Sequence, residues 1–145
     1  MHAFPHHYTV TAAAHQDTAN VTVSGAGLSD ISTNAPAEFG GPGDQWSPES
    51  LIMAAVADCF ILSFRAIATA SKVDWQSIRC QAVGTLDQVE RKMVFTAVEL
   101  EVTVTASADA NAERIERLLH KAEETCLITN SLTADVALKT QVQLG

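Results

Sequence analysis

Residues 46–70 read WSPESLIMAAVADCFILSFRAIATA, and they carry the signals of one long helix. Ser47 suits the N-cap because its side chain can accept a hydrogen bond from an unpaired N–H of the first turn. Pro48 suits the first helical position, where a missing N–H costs nothing, and Glu49 places negative charge near the positive end of the helix dipole. Up to about Ala70 the segment is apolar on almost every face. We therefore predict a central helix that other elements must cover.

Alternating segments surround this helix and predict strands. The predicted strands are residues 8–12, 19–24, 31–34, 78–86, 94–104 and 132–144. A second, amphipathic helix with its apolar stripe over 112–122 and Asp109 as its N-cap precedes the last strand. The resulting order, ββ(β)-α-ββ-α-β, predicts an α+β fold with antiparallel sheets. A chain of 145 residues has room for one domain, so we predict a single domain over residues 1–145.

Charge and composition exclude several classes of partner. The net charge is −8, and residues 1–64 hold six acidic residues but no lysine or arginine. A basic footprint for nucleic acid is absent, and an anionic membrane surface would repel the chain. The apolar segment 51–70 has the length of a membrane span, yet Asp58 and Arg65 lie within it and would be costly in lipid. We predict no nucleic-acid partner and no membrane insertion.

The start of the chain and the central helix lead to two further expectations. Residues 1–10 lack the basic start and apolar run of a secretory signal peptide, so a cytoplasmic location is expected. A helix that is apolar on every face needs cover on all sides, and 145 residues supply little beyond one sheet and one helix. A second copy would provide that cover, so we predict a homodimer in which the 51–70 helices pack together.

Three cysteines are the residues best suited to chemistry. Cys59 lies in the middle of the central helix, and Cys126 lies where the second helix should end. A single helical cysteine is usually a small core side chain, but two cysteines in such different settings also fit a peroxidatic and resolving pair. Cys80 alternates in phase with Ile78 and Ala82, so we predict that it packs in the core. The histidines at positions 2, 6 and 7 lie near a terminus expected to fray, and we predict no metal site.

Four segments, in order, resemble the conserved motifs of the OsmC/Ohr superfamily. They are PAEFGG at 36–41, WSPESL at 46–51, AAVADC at 54–59 and AEETCLITNSL at 122–132. The resemblance implies an intertwined homodimer in which antiparallel sheets wrap around long central helices. That architecture agrees with the element order predicted above.

The resemblance also implies an activity, that of a thiol peroxidase acting on fatty or aromatic organic hydroperoxides. Cys59 would reduce the hydroperoxide to an alcohol and become a sulfenic acid, and Cys126 would resolve that acid to a disulfide. A dithiol of the dihydrolipoamide type would reduce the disulfide, and no metal, flavin or haem cofactor is implied. The motif glutamate of the family corresponds to Glu49. An apolar wall would select the substrate, and the candidate wall residues are Phe39, Trp46, Met53 and Phe60.

This sequence departs from the family pattern at one functional position. In the family, an arginine from the strands before the helix activates the thiol, whereas residues 1–64 here contain neither arginine nor lysine. Two alternative functions therefore stay open. The chain could bind apolar or acylated ligands with Cys59 only weakly reactive, or it could be an interaction protein that is switched by a Cys59–Cys126 disulfide.

Overall fold

The computed structural model describes all of residues 1–145, which divide into two compact units, Met1–Leu51 and Ile52–Gly145. The elements are β1 (Thr11–Ala13), β2 (Val21–Ser24), β3 (Ile31–Thr33), a 3-10 turn (Ala37–Phe39), α1 (Pro48–Ala70), β4 (Ser77–Val89), β5 (Lys92–Ala106), α2 (Ala112–Thr125), α3 (Leu127–Asn130) and β6 (Asp135–Leu144). The predicted α+β class and the predicted order of elements are both confirmed, with α3 as an additional short helix.

The first unit is a small antiparallel sheet followed by a tight loop. Strands β1, β2 and β3 pair in sequence order. The following loop closes where the Gly41 N–H donates to the Pro36 carbonyl, at 3.0 Å. A Cβ atom on Gly41 would lie 1.7 Å from the Ala35 carbonyl oxygen, so only glycine fits at this close approach. The chain then runs beside β3, where the Asn34 N–H donates to the Trp46 carbonyl at 2.9 Å.

The second unit holds a three-stranded sheet in the order β4-β5-β6. Strands β4 and β5 form an antiparallel hairpin whose turn residues, Glu90 and Arg91, have φ angles of 50° and 71°. Such left-handed residues match the twist of a two-residue hairpin. Strand β6 pairs in parallel with β5, so the expectation of antiparallel sheets is wrong at this strand. The reason is that α2 lies between β5 and β6, and a helical crossover returns the chain in the same direction.

The core of the second unit lies between the sheet and the helices. Helix α1 buries every fourth residue, which places one narrow stripe against the core. The predicted apolar stripe of α2 is confirmed, and the predicted inward face of β5 is confirmed from Val98 to Val104. The buried residues are Val56, Phe60, Phe64 and Ala68 on α1, Val98, Leu100, Val102, Val104 and Ala106 on β5, and Ile115, Leu118, Leu119 and Ala122 on α2.

The start of α1 is capped as predicted. The Ser50 N–H donates to Ser47 Oγ at 3.1 Å, and the Ser47 N–H donates to Ser50 Oγ at 2.8 Å. This is a reciprocal capping box with serine in place of the usual glutamate. The predicted cap of α2 is wrong, because Asn111 rather than Asp109 accepts from the first turn, at 3.1 Å from the Arg114 nitrogen.

Ser47→Ala is expected to lower the free energy of unfolding by about 1 kcal/mol, because the Ser50 N–H loses its acceptor. Urea titration followed by circular dichroism would measure the change. Ser47→Asp is the matched control, since aspartate also caps helices well, and it should keep most of the stability. Equal losses in both variants would contradict a capping role for Ser47.

Helix α1 also has the length and hydropathy of a membrane span. Its most apolar 18-residue window has a mean hydropathy of 2.0, and only 22% of that window is buried inside the chain. Leu62, for example, is 51% exposed. The core helices of soluble proteins can have the same length and hydropathy, so these two properties do not distinguish a membrane span from a core helix. The expectation that other elements cover α1 on all sides is not met within a single chain.

Candidate active site

Cys59 lies at the edge of the buried stripe of α1. Its neighbour in the chain, Phe60, is fully buried, and Val56 is buried one turn earlier. Asp58, on the other side of Cys59, is exposed. Cys59 itself is half-buried and its thiol is free. The residue therefore combines an apolar surrounding with partial access to solvent.

Cys126 lies at the junction of α2 and α3 and is fully buried. Its N–H donates to the Glu123 carbonyl and ends α2, and its own carbonyl accepts the N–H of Asn130 at 3.0 Å. The buried Thr129 hydroxyl donates to the same carbonyl at 3.1 Å. These hydrogen bonds hold the backbone of Cys126 between two helical segments.

The thiols of Cys59 and Cys126 lie against each other. Burial raises the pKa of Cys126, hydrogen bonds from Thr129 lower it, and a hydrogen bond with Cys59 together with charge repulsion from Cys59 raises it again. The structure thus brings together two cysteines that lie 67 positions apart in the chain.

The basic side chains are engaged elsewhere or exposed. All nine lysine and arginine residues lie in the same unit as Cys59. Arg79 donates to the Gln81 side chain, Arg114 donates to the Ser71 carbonyl at 2.7 Å, and Lys139 pairs with a glutamate of β5 at 3.0 Å. Arg65 is exposed on α1. Neither thiol of the pair is hydrogen-bonded to a basic side chain of its own chain.

Met53, six residues before Cys59, packs on a glycine of β4. A Cβ atom on Gly84 would lie 2.6 Å from Met53 Sδ and 3.0 Å from a ring carbon of Phe95. Gly84 therefore leaves room for both side chains. Sequence reasoning identified Met53 but not Gly84 or Phe95. It placed Val94 and Thr96 on the inward face, whereas an irregularity in pairing between Thr85 and Leu86 sets Phe95 opposite Leu86. No local residue signal marks that bulge.

Gly84→Val is expected to lower the free energy of unfolding by about 1–3 kcal/mol, because the added carbons overlap Met53 and Phe95. Urea titration would measure this loss. The double variant Gly84→Val/Met53→Ala should recover part of it, because the shortened side chain makes space. Val83→Thr, on the opposite face of β4, is the control and should change stability by no more than about 0.5 kcal/mol. If the double variant were no more stable than Gly84→Val, overlap with Met53 would not be the cause of the lost stability.

The other predicted site residues lie in different settings. Phe60 is fully buried in the core of the second unit, and its role as a substrate contact stays a prediction. Phe39 and Trp46 belong to the first unit and are 49% and 51% exposed. Glu49, in the first turn of α1, has one carboxylate oxygen that is buried without a hydrogen-bond partner. A buried carboxylate oxygen without a hydrogen-bond donor is costly in free energy, so a cation or a donor is expected beside Glu49.

A long apolar helix on a mixed sheet, with two cysteine thiols in contact at the helix surface, defines an α+β protein with a dithiol centre. The family model described as "OsmC-like protein" matches residues 41–141, a range that contains both cysteines. The chain therefore belongs to the OsmC family.

Similar proteins agree with this assignment. The chain is 24% identical over 119 residues to the uncharacterized protein YmaD of Bacillus subtilis, with 79% of each protein covered. An OsmC-like protein of unknown function from Vibrio cholerae has the same fold, with a TM-score of 0.84 at 21% identity over 94% of this chain and all of that one. An organic hydroperoxide resistance protein OsmC from Legionella pneumophila has a TM-score of 0.71 at 28% identity, over 94% of this chain and 97% of that one.

Proposed function

We propose that this chain is a thiol-dependent peroxidase that reduces organic hydroperoxides in the cytoplasm. The observation that carries the proposal is the contact between the thiols of Cys59 and Cys126. Supporting it, the similar protein from Legionella pneumophila is named an organic hydroperoxide resistance protein.

The different burial of the two thiols divides their roles. Cys126 is fully buried and burial raises its pKa, whereas Cys59 is half-buried, so Cys59 is the sulfur that a hydroperoxide can reach. The Cys59 sulfur attacks the outer peroxide oxygen, the O–O bond breaks, and the alkoxide leaves as an alcohol after taking a proton. Cys59 is now a sulfenic acid. The Cys126 sulfur then attacks Cys59, a disulfide forms and water leaves. A dithiol of the dihydrolipoamide type returns both residues to thiols.

The surroundings of the pair favour an apolar hydroperoxide over hydrogen peroxide. Cys59 lies between the buried Phe60 and Val56, and Met53 lies on the same helix against Phe95. Covering an apolar wall with an alkyl or aromatic group lowers the free energy of binding, and hydrogen peroxide has no such group. We therefore propose fatty or aromatic hydroperoxides as the substrates.

We further propose that the working form is a homodimer. The apolar window of α1 is only 22% buried in one chain, and an apolar face of this kind is a contact surface for another protein surface. A second copy would cover α1. It could also bring a basic side chain, such as the exposed Arg65, to a thiol that lacks one within its own chain.

The missing cation favours one alternative function. Without a positive charge nearby, a thiol in apolar surroundings is disfavoured as a thiolate and reacts slowly with peroxide. In that case the chain is a binder of apolar or acylated ligands, and the half-exposed apolar surface near Cys59 is the binding surface.

Intact mass after treatment with one equivalent of cumene hydroperoxide separates the two functions. The peroxidase is expected to lose two hydrogen atoms per chain and two of its three free thiols, because one disulfide forms. Cys59→Ser should keep its mass and its remaining thiols under the same treatment. A wild-type chain that keeps all three thiols would overturn the peroxidase and leave the binding function.

A further inference from the structure

The side of α1 that points away from the core carries two opposite charges on a largely apolar surface. We call its exposed residues Asp58, Leu62, Arg65, Ala66 and Thr69 the outer face of α1. Their spacing of three and four positions places them on one side of the helix. Leu62, between the two charges, is 51% exposed. Neither Asp58 nor Arg65 forms an ion pair within the chain, where the ion pairs join His120 to Glu116 and Lys139 to Glu99.

Asp58 and Arg65 are too far apart to neutralise each other. They are seven residues apart, which is about 10 Å along the helix axis, whereas ion pairs along a helix join residues three or four apart. If an apolar surface covered the outer face, both charges would lose water without gaining a partner, at a high cost in free energy. Any surface that covers this face must therefore bring a base to Asp58 and an acid to Arg65.

A second copy of α1 brings both charges in one particular arrangement. When two identical helices pack antiparallel about a two-fold axis, each residue lies opposite the one at the same distance beyond the axis. An axis between residues 61 and 62 sets Asp58 opposite the partner's Arg65 and Arg65 opposite the partner's Asp58. A parallel pairing in register would instead set aspartate against aspartate and arginine against arginine. Charge therefore selects both the antiparallel direction and the register.

The distances along the helix fit this arrangement. Asp58 and Arg65 each lie about 5 Å from the axis, measured along α1, and packed helices are about 8–10 Å apart. Both ion pairs thus fall within the region where two crossing helices touch. The exposed Leu62 of each chain lies next to the axis. The interface then has an apolar centre with one ion pair on either side.

We propose that α1 packs antiparallel on α1 of a second copy about this axis, with Asp58 of each chain paired with the partner's Arg65. This inference rests on the homodimer in the proposed function and specifies its contacts. It also bears on the candidate active site. Asp58 directly precedes Cys59, so the partner's Arg65 comes to the level of Cys59 along α1. The dimer thus places a positive charge beside a thiol that has no basic hydrogen-bond partner in its own chain.

Reversing each charge tests the pairing, with sedimentation equilibrium as the measurement. Asp58→Arg sets arginine against arginine at both pairs, and Arg65→Asp sets aspartate against aspartate. Each variant should raise the Kd of the dimer by at least about 10²-fold. The double variant Asp58→Arg/Arg65→Asp exchanges the charges, so its Kd should return to within about tenfold of the wild-type value. Arg117→Asp, at an exposed position of α2, is the matched control and should leave the Kd unchanged.

Mixing the two single variants shows whether the pairs form between chains. In a mixed dimer, the two arginines of the Asp58→Arg chain lie opposite the two aspartates of the Arg65→Asp chain. An equimolar mixture should therefore sediment as a dimer at concentrations where each variant alone is a monomer. Circular dichroism confirms that each variant is folded. If the single variants dimerise as tightly as wild type, or if the mixture stays monomeric, the proposed pairing is overturned.

The state of assembly, rather than activity, is measured, so this test is separate from that of the peroxidase. If the charge reversals act as expected but cumene hydroperoxide forms no disulfide, the peroxidase is wrong and the interface stands. If wild type is a monomer at every concentration tested, the interface is overturned whatever the activity of the chain.

Discussion

Cys126→Ser is expected to consume one organic hydroperoxide per chain and then to lose steady-state turnover with a dithiol by about 10²-fold or more. The first step needs only the Cys59 sulfur, so it survives the substitution. The sulfenic acid at Cys59 then has no neighbouring thiol to resolve it, because Cys126 is the residue whose thiol lies against it. The external dithiol must reach the half-buried Cys59 itself. The amount of cumene hydroperoxide consumed per chain, together with dimedone capture of the sulfenic acid, would measure the first step. The rate of hydroperoxide consumption with a dithiol would measure turnover.

Cys59→Ser is the matched comparison for this variant. It should consume no hydroperoxide at all, because the attacking sulfur is missing. A Cys126→Ser chain that turned over at the wild-type rate would show that the contact between the two thiols is structural only. A Cys126→Ser chain without any first oxidation would instead assign the attack to Cys126.

Phe60→Ala is expected to lower the free energy of unfolding by about 3–5 kcal/mol, which is a large part of the 5–15 kcal/mol that stabilises a typical domain. Phe60 is fully buried between the helix and the sheet, so its removal leaves a cavity that the neighbouring side chains fill only in part. Thermal and urea unfolding would both report the loss. The effect is that of a core residue, although the sequence also made Phe60 a candidate for the substrate wall.

Phe39→Ala is the control for this substitution, because Phe39 is 49% exposed. Its loss of stability should stay near 0.5 kcal/mol, as for ordinary surface positions. Activity assays then separate packing from substrate contact. If Phe60→Ala kept its stability and only raised the KM for cumene hydroperoxide, Phe60 would line the substrate site, and its place in the core would not explain the variant.

Much of the fold was predictable because its signals are local. The serine–proline pair at 47 and 48 marks the residue at which α1 begins, and the alternation over 98–104 marks the buried face of β5. These signals act between neighbours in the chain, through caps, dihedral preferences and side-chain periodicity. One error, the N-cap of α2, arose where two local signals competed. Asp109 and Asn111 are both good N-cap residues, and Asp109 accepts the Ser107 hydroxyl at 2.7 Å instead.

The candidate site was predictable only as a set of residues. The motifs identify Cys59 and Cys126, and the alternation identifies Cys80 as an inward-facing residue. Neither the direction of β6 nor the bulge that sets Phe95 opposite Leu86 has a signal in the residues around it, because both depend on which strands pair. Phe95 and Gly84 were therefore missed.

From its order of residues alone, this chain could be assigned its helices, its strands and the cysteines worth testing, since each follows from interactions over a few positions. The meeting of Cys59 with Cys126 came from the packing of α1 and α2 on the sheet. Residues 67 positions apart meet only when whole elements dock, and the free energy of docking is spread over the entire core rather than held in any one motif.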